Sequence, residues 1–279
     1  MGESAYVLRS GESWRNPYPM YSDLRNNSPV HFVETGSFWV LSRFEDVFNA
    51  ARNPRVFSSR HGLTIDQDSN NLDMGDSAPI VFLDPPEHTE FRRLISKGFT
   101  PRKAEDMTED ISAFVESAIN RIKELETCDI ISELFKPLPS FVVSKYLGVP
   151  ASDRVVFDTW TEKIVAGAIH NEENEGLEAI YEVTNYFTEL IEWRKKTPGD
   201  DLISELIEMG EEKVSIMWIL GLAFTMIAGG NDTTTGLLGG SAVLLSENPD
   251  QRKLLSEDLR LLPGAIEELL RMTSPLSKA

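Results

Sequence analysis

With 279 residues, 41% hydrophobic and 9% aromatic, the chain can bury the core of one large or two ordinary domains and is not disordered throughout. Its 27 basic and 45 acidic residues leave a net charge of −18, which argues for solubility and against general nucleic-acid binding. The single cysteine, Cys128, rules out an intramolecular disulfide and suits a cytoplasmic setting, and the first residues lack the basic and apolar pattern of a signal peptide.

Residues 30 to 42, VHFVETGSFWVLS, predict a β-hairpin, with Val/Phe/Trp-rich strands on either side of a Glu-Thr-Gly turn. Ser42 is placed to cap a short helix over RFEDVFNAARN that Pro54 closes. Residues 58 to 82 are rich in turn formers and have no helical period, so they predict a long loop, a feature that is uncommon in compact domains and usually functional.

From Pro85 onward the pattern is helical, with segments over 86–98, 101–123, 137–147, 151–168, 176–196, 201–208, 213–246, 249–258 and 263–273. Breaks fall at GFTP, LGVP, HNEENEG, TPGDD and ENPD. At 1.5 Å per residue the 213–246 helix would run roughly 45–50 Å, the width of a domain. The expected fold is mainly α with a small β element, one domain over 1–279. The apolar run from Ile216 to Leu245 has the length of a membrane span, but Asp232 near its middle would be costly in lipid. It therefore reads as a helix buried in protein, with no membrane partner.

Three stretches could carry chemistry. In LDPPEHTEFRRLISKGFTPRK, Pro85 and Pro86 set up a helix start and Glu87 suits the dipole of its first turn. His88 and Arg92, four residues apart, share a helix face and could grip one anion. From Arg92 to Lys103 there are five basic residues and no acidic one, a local reversal of sign that suits an acidic partner; a solvated basic helix is the plainer alternative. In MIAGGNDTTT, residues 226 to 235, glycines and a carboxylate interrupt the most apolar part of the chain. Gly229 and Gly230 would let a ligand approach the backbone, and Thr233 could bond the carbonyl of residue 229 or 230 and open a bulge. Asp232 and Thr233 form a plausible proton-relay pair, although a helix-packing notch with a solvent-facing Asp weighs about equally. In EELLR, Glu268 and Arg271 are placed to pair, a common feature of helices. The four histidines, at 31, 61, 88 and 170, lack metal-ligand spacing.

Together and in this order, AGGNDTT, DPPEHTEFRRLISKGFTPR and EELLR resemble three motifs of the bacterial cytochromes P450: the oxygen-binding helix, the haem-propionate helix and the Glu-x-x-Arg helix. The resemblance covers essentially the whole chain and implies a P450-like fold and a haem-thiolate monooxygenase. Such an enzyme inserts one oxygen atom of O₂ into an apolar small molecule, with electrons passed from NAD(P)H by a ferredoxin or flavodoxin-type donor. The resemblance implies that Ala228, Gly229 and Gly230 pass over the face of haem b (iron protoporphyrin IX). It makes Asp232 and Thr233 the proton-delivery pair, His88 and Arg92 the propionate ligands, and Glu268 and Arg271 a structural pair. Arg93, Lys97, Arg102 and Lys103 would dock the donor, Phe82 would touch substrate, and residues 58–82 and 160–180 would roof the pocket. The family's cysteine ligand lies beyond the Glu-x-x-Arg helix, where this sequence stops, so the resemblance marks the chain as the N-terminal portion of such an enzyme, inactive alone and without a metal ligand of its own. Cys128 reads as a buried structural residue. The alternative, for a chain complete as given, is a helical lipophile-binding or interaction protein without oxygenase activity.

Overall fold

The computed structural model describes residues 16–34, 36–62, 78–154, 156–157, 159–160, 163 and 173–274. These fall into two compact units, one of residues 16–62 with 81–90, the other of 78–80 with 91–274.

The first unit opens with helix α1 (Tyr18–Asn27), begun by Pro17 and anchored by the fully buried Leu24. Strands β1 (Val30–Val33) and β2 (Phe38–Leu41) pair antiparallel with Val30 opposite Leu41 and Val33 opposite Phe38, the expected hairpin. Gly36 (φ 114°) and Ser37 (φ 53°) take the left-handed backbone that reverses the chain. Helix α2 (Phe44–Ala51) forms as expected, but Ser42 does not cap it. The Ser42 hydroxyl instead donates to the Pro29 carbonyl at 3.1 Å, closing the hairpin's base, and Arg43 takes the cap position.

Helix α3 (Glu87–Ile95) follows the two prolines, and a 3₁₀ turn over Ser96–Gly98 extends it. The expected 101–123 helix is two, α4 (Pro101–Asp106) and α5 (Thr108–Lys123), parted at the buried Met107. A π-helical turn over Ile131–Phe135 leads into α6 (Pro137–Tyr146). In α7 (Glu173–Lys196), Ala179, Val183, Phe187 and Ile191 recur every four residues and are buried, the stripe expected of a helix lying on a core. Helix α8 (Leu202–Glu208) is capped by the buried Asp201, whose carboxylate accepts from Ser204 N at 2.9 Å. The same carboxylate meets Arg194 Nη2 at 2.9 Å, and Arg194 donates to the Gly148 carbonyl at 2.8 Å, so one charge pair ties three segments together.

The expected 213–246 helix is also two. Helix α9 (Ile216–Gly230), capped by Ser215, buries Ile219, Leu222, Ala223 and Ile227. Helix α10 (Asp232–Glu247) has no buried residue, so only the first half of the apolar run lies in the core. Helices α11 (Pro249–Glu257) and α12 (Leu262–Thr273) complete the described chain, and α12 packs on α10. Among the described residues no helix is long and apolar enough to cross a membrane.

Candidate functional site

The interruption between α9 and α10 is a small structural event. Asn231, buried, has φ −88° and ψ −62°, and the next helix begins at Asp232. The Thr233 hydroxyl donates to the Gly229 carbonyl at 2.8 Å, one of the two back-bonds the sequence left open. A hydroxyl on the carbonyl of residue i−4 competes with the helical amide and opens the turn. Asp232 is exposed and Thr233 half-buried, which places a carboxylate in contact with water next to a hydroxyl.

The glycines of this run have different surroundings. A Cβ on Gly230 would lie 2.9 Å from Val143 Cγ2 of α6, and one on Gly239 would lie 3.0 Å from Ile131 Cδ1. On Gly240 it would run into Thr273 of α12. These glycines allow helix to approach helix. Gly229 is exposed, and a Cβ there would meet nothing within 4 Å. Packing within the described chain therefore does not require a glycine at 229, although a helical glycine costs about 1 kcal/mol against alanine. Together with the half-buried Ala228 it forms a ledge without side-chain bulk, beside the break and its carboxylate. That is the surface a flat macrocycle needs, and the residues fit one.

His88 and Arg92 lie four residues apart in α3, His88 half-buried and Arg92 exposed. Phe91, between them in sequence and fully buried, lies against Trp218 of α9 with ring centroids 4.6 Å apart and planes tilted by 40°. Among the described residues no hydrogen bond or ion pair is made by the side chain of His88 or of Arg92. Arg93, Lys97 and Arg102 are exposed as well, whereas Lys103 is half-buried and paired with Glu205 of α8. Nothing in the spacing of the basic stretch signals that pairing. Tyr146 donates to the Gly98 carbonyl and stacks on Phe99 at 5.2 Å, so the turn between Lys97 and Arg102 is held from beneath.

On α12, Arg271 makes two hydrogen bonds to the Glu268 carboxylate, at 2.8 and 2.7 Å, as their spacing predicts. Those bonds outweigh a small desolvation effect and hold the Glu268 carboxyl below its usual range. Phe82, half-buried in a 3₁₀ turn (Ile80–Phe82), belongs to the first unit. Residues 63–77 and most of 161–172, both parts of the expected roof, lie outside the described residues. Cys128 is exposed after α5, which corrects the expectation that it is buried; the polar neighbours Thr127 and Asp129 leave it in a surface turn. Among the described residues no cluster of His, Cys, Asp and Glu could hold a metal ion.

No family model matches the chain. It is 45% identical over 282 residues to Cytochrome P450 130 of Mycobacterium tuberculosis, an alignment covering 97% of this chain and 70% of that protein. It is 31% identical over 284 residues to the Vitamin D(3) 25-hydroxylase of Pseudonocardia autotrophica, covering 100% of this chain and 70% of the relative. Among solved structures, cytochrome P450 CYP109Q5 from Chondromyces apiculatus superposes with a TM-score of 0.82 at 30% identity, over 94% of this chain and 66% of that one.

Proposed function

The chain belongs to the cytochromes P450, and on that premise we propose that its 279 residues are a single P450-like domain of a haem-thiolate monooxygenase acting on an apolar small molecule. The observation that carries this reading is the Ala228–Gly229 ledge beside the helix break, where a glycine has no packing reason among the described residues and a carboxylate and hydroxyl stand close by in sequence. When bound, haem b supplies the activation of O₂ that no side chain in this chain can perform.

The chain's own residues do the rest. His88 and Arg92 bind the carboxylate side chains of the macrocycle from one helix face, Arg92 as a permanent charge. Ala228 and Gly229 let the flat group lie against backbone, and Gly230 lets the same helix approach Val143. Asp232, exposed, takes protons from water and passes them to the Thr233 hydroxyl, which the Gly229 carbonyl orients at 2.8 Å. Phe82 offers apolar contact to substrate. Arg93, Lys97 and Arg102 dock an acidic ferredoxin or flavodoxin-type donor that carries electrons from NAD(P)H, while the charge of Lys103, expected to join them, is taken up by its pair with Glu205.

The family's iron ligand is a cysteine thiolate. Cys128, the one cysteine of this chain, is exposed in the segment after α5, and we do not assign it as that ligand. Two relatives indicate the kind of substrate a P450 fold of this type admits. One is a Vitamin D(3) 25-hydroxylase, and CYP109E1 from Bacillus megaterium has been solved in complex with testosterone. The test is the reduced carbon-monoxide spectrum of the protein expressed from its full reading frame, followed by product analysis with NAD(P)H, O₂ and a redoxin. A thiolate-type band with oxygenated product supports the reading, and full haem loading without that band overturns it.

A further inference from the structure

Asp84 precedes Pro85, Pro86 and helix α3, the position from which an aspartate ordinarily caps a helix. Here the prolines supply no N–H and the carboxylate turns the other way. Its Oδ2 accepts from the Ser58 hydroxyl at 2.5 Å and its Oδ1 from the Ser59 amide at 2.9 Å, two bonds to residues far back in the chain. Arg60 bridges the same place, with Nε 3.9 Å from Asp84 and Nη2 2.8 Å from Glu87 in the first turn of α3. The Asp84 carbonyl accepts from the His88 amide at 3.0 Å, so the residue that holds the incoming chain by its side chain starts the helix by its backbone. The Asp84 side chain is 14% exposed, whereas Arg60 is 59% exposed. The anchor is therefore the carboxylate, and the guanidinium is its outer cover.

We propose that Asp84 is a positioning residue: its carboxylate clasps residues 58–60 to the start of α3, so that the chain before residue 61 and the chain after Phe82 are held at one point beside His88. Its consequence for substrate rests on the proposed function, in which Phe82 touches the substrate. Two backbone segments that must keep a fixed separation are joined by three contacts to one side chain, and a functional segment needs such support to hold its geometry.

The test is hydrogen exchange of the 279-residue chain, read on peptides spanning residues 57–60. Asp84→Ala should speed exchange at Ser59 roughly tenfold, the loss expected for one amide bond of this kind, with peptides of α8 unchanged. Asp84→Asn keeps an acceptor for the Ser59 amide and should restore much of the protection, while Ser58→Ala should restore none to the alanine variant. Unchanged exchange at 58–60 in Asp84→Ala overturns the clasp, as does an equal rise in the α8 peptides. Where Asp84→Ala does not fold, the double variant Asp84→Asn with Ser58→Ala, which removes the charge and the hydroxyl contact together, is compared with the parent, and protection identical to it overturns the proposal. In the haem-loaded enzyme Asp84→Ala should raise KM several-fold with kcat retained. An unchanged KM with lost protection leaves the clasp standing and removes Phe82 from the pocket instead.

Discussion

Gly229 and Gly230 are neighbours whose side-chain surroundings among the described residues differ. Gly229 lies next to the last residue of α9 and is exposed, and a methyl added to its Cα would have nothing within 4 Å. The same methyl on Gly230 would come within 2.9 Å of Val143. Replacing a helical glycine by alanine or leucine gains up to about 1 kcal/mol, and near a helix end roughly half of that. With a 1 kcal/mol change moving the midpoint by about 2–4 °C in a chain of this size, Gly229→Ala and Gly229→Leu should each raise the thermal midpoint of the 279-residue chain by roughly 1–2 °C. Gly230→Ala must push Val143 aside and should lose about 1–3 kcal/mol, lowering the midpoint by several degrees. In the haem-bearing protein the order reverses for Gly229→Leu: the isobutyl group covers the ledge, and the ratio of haem to protein absorbance should fall more than tenfold although the polypeptide is more stable. Circular dichroism melts and haem titration read the two effects separately. A Gly229→Leu protein that melts below Gly230→Ala, or that keeps its full haem content, refutes the argument.

In the haem-loaded enzyme, Thr233→Ala should raise peroxide release per NAD(P)H consumed several-fold while Thr233→Ser stays near the parent; unchanged coupling removes Thr233 from proton delivery. Asp201→Ala takes away a helix cap worth about 1 kcal/mol and leaves the charge of Arg194, 13% exposed, without its carboxylate. Orphaning a buried charge costs about 3–5 kcal/mol, so the midpoint should fall by roughly 10 °C, with Asp201→Asn falling less because asparagine also caps. A loss below about 1 kcal/mol in denaturant would show that water reaches Arg194. Burial, then the hydrogen bond to Asp153, raises the Tyr186 phenol well above its ordinary 10.0. Stability from that bond is complete below pH 10 and is lost as rising pH ionises the unfolded tyrosine first, so denaturation midpoints should slope down above pH 10 in the parent and less in Tyr186→Phe.

What the sequence made legible is what depends on near neighbours. The hairpin, the start of α3 at the two prolines, the Glu268–Arg271 pair and the Thr233 back-bond each join residues within a dozen positions, and each formed as expected. What was not legible depends on partners far along the chain. Ser42 had every local reason to cap α2, yet the Pro29 carbonyl on the opposite strand was the better partner for its hydroxyl. Asp84 had the same local reason at α3 and was drawn to Ser58 and Ser59. Lys103 reads as one of five free cations until Glu205, brought close by α8, engages it.

The polar centre of an apolar run follows the same logic. Taken alone, Asn231, Asp232 and three threonines inside a greasy helix look like a stability fault, because a buried unpaired carboxylate costs several kcal/mol. The fault disappears once the run is seen to change role at residue 231: α9 buries its apolar side chains against the core, while α10 buries none and leaves Asp232 in water. The glycines then divide along the same line. Those at 230, 239 and 240 face Val143, Ile131 and Thr273 and serve the fold, while the one at 229 faces none of them. Among the described residues the glycine at 229 eases no contact, and on the reading proposed here its bare backbone is where the ligand lies.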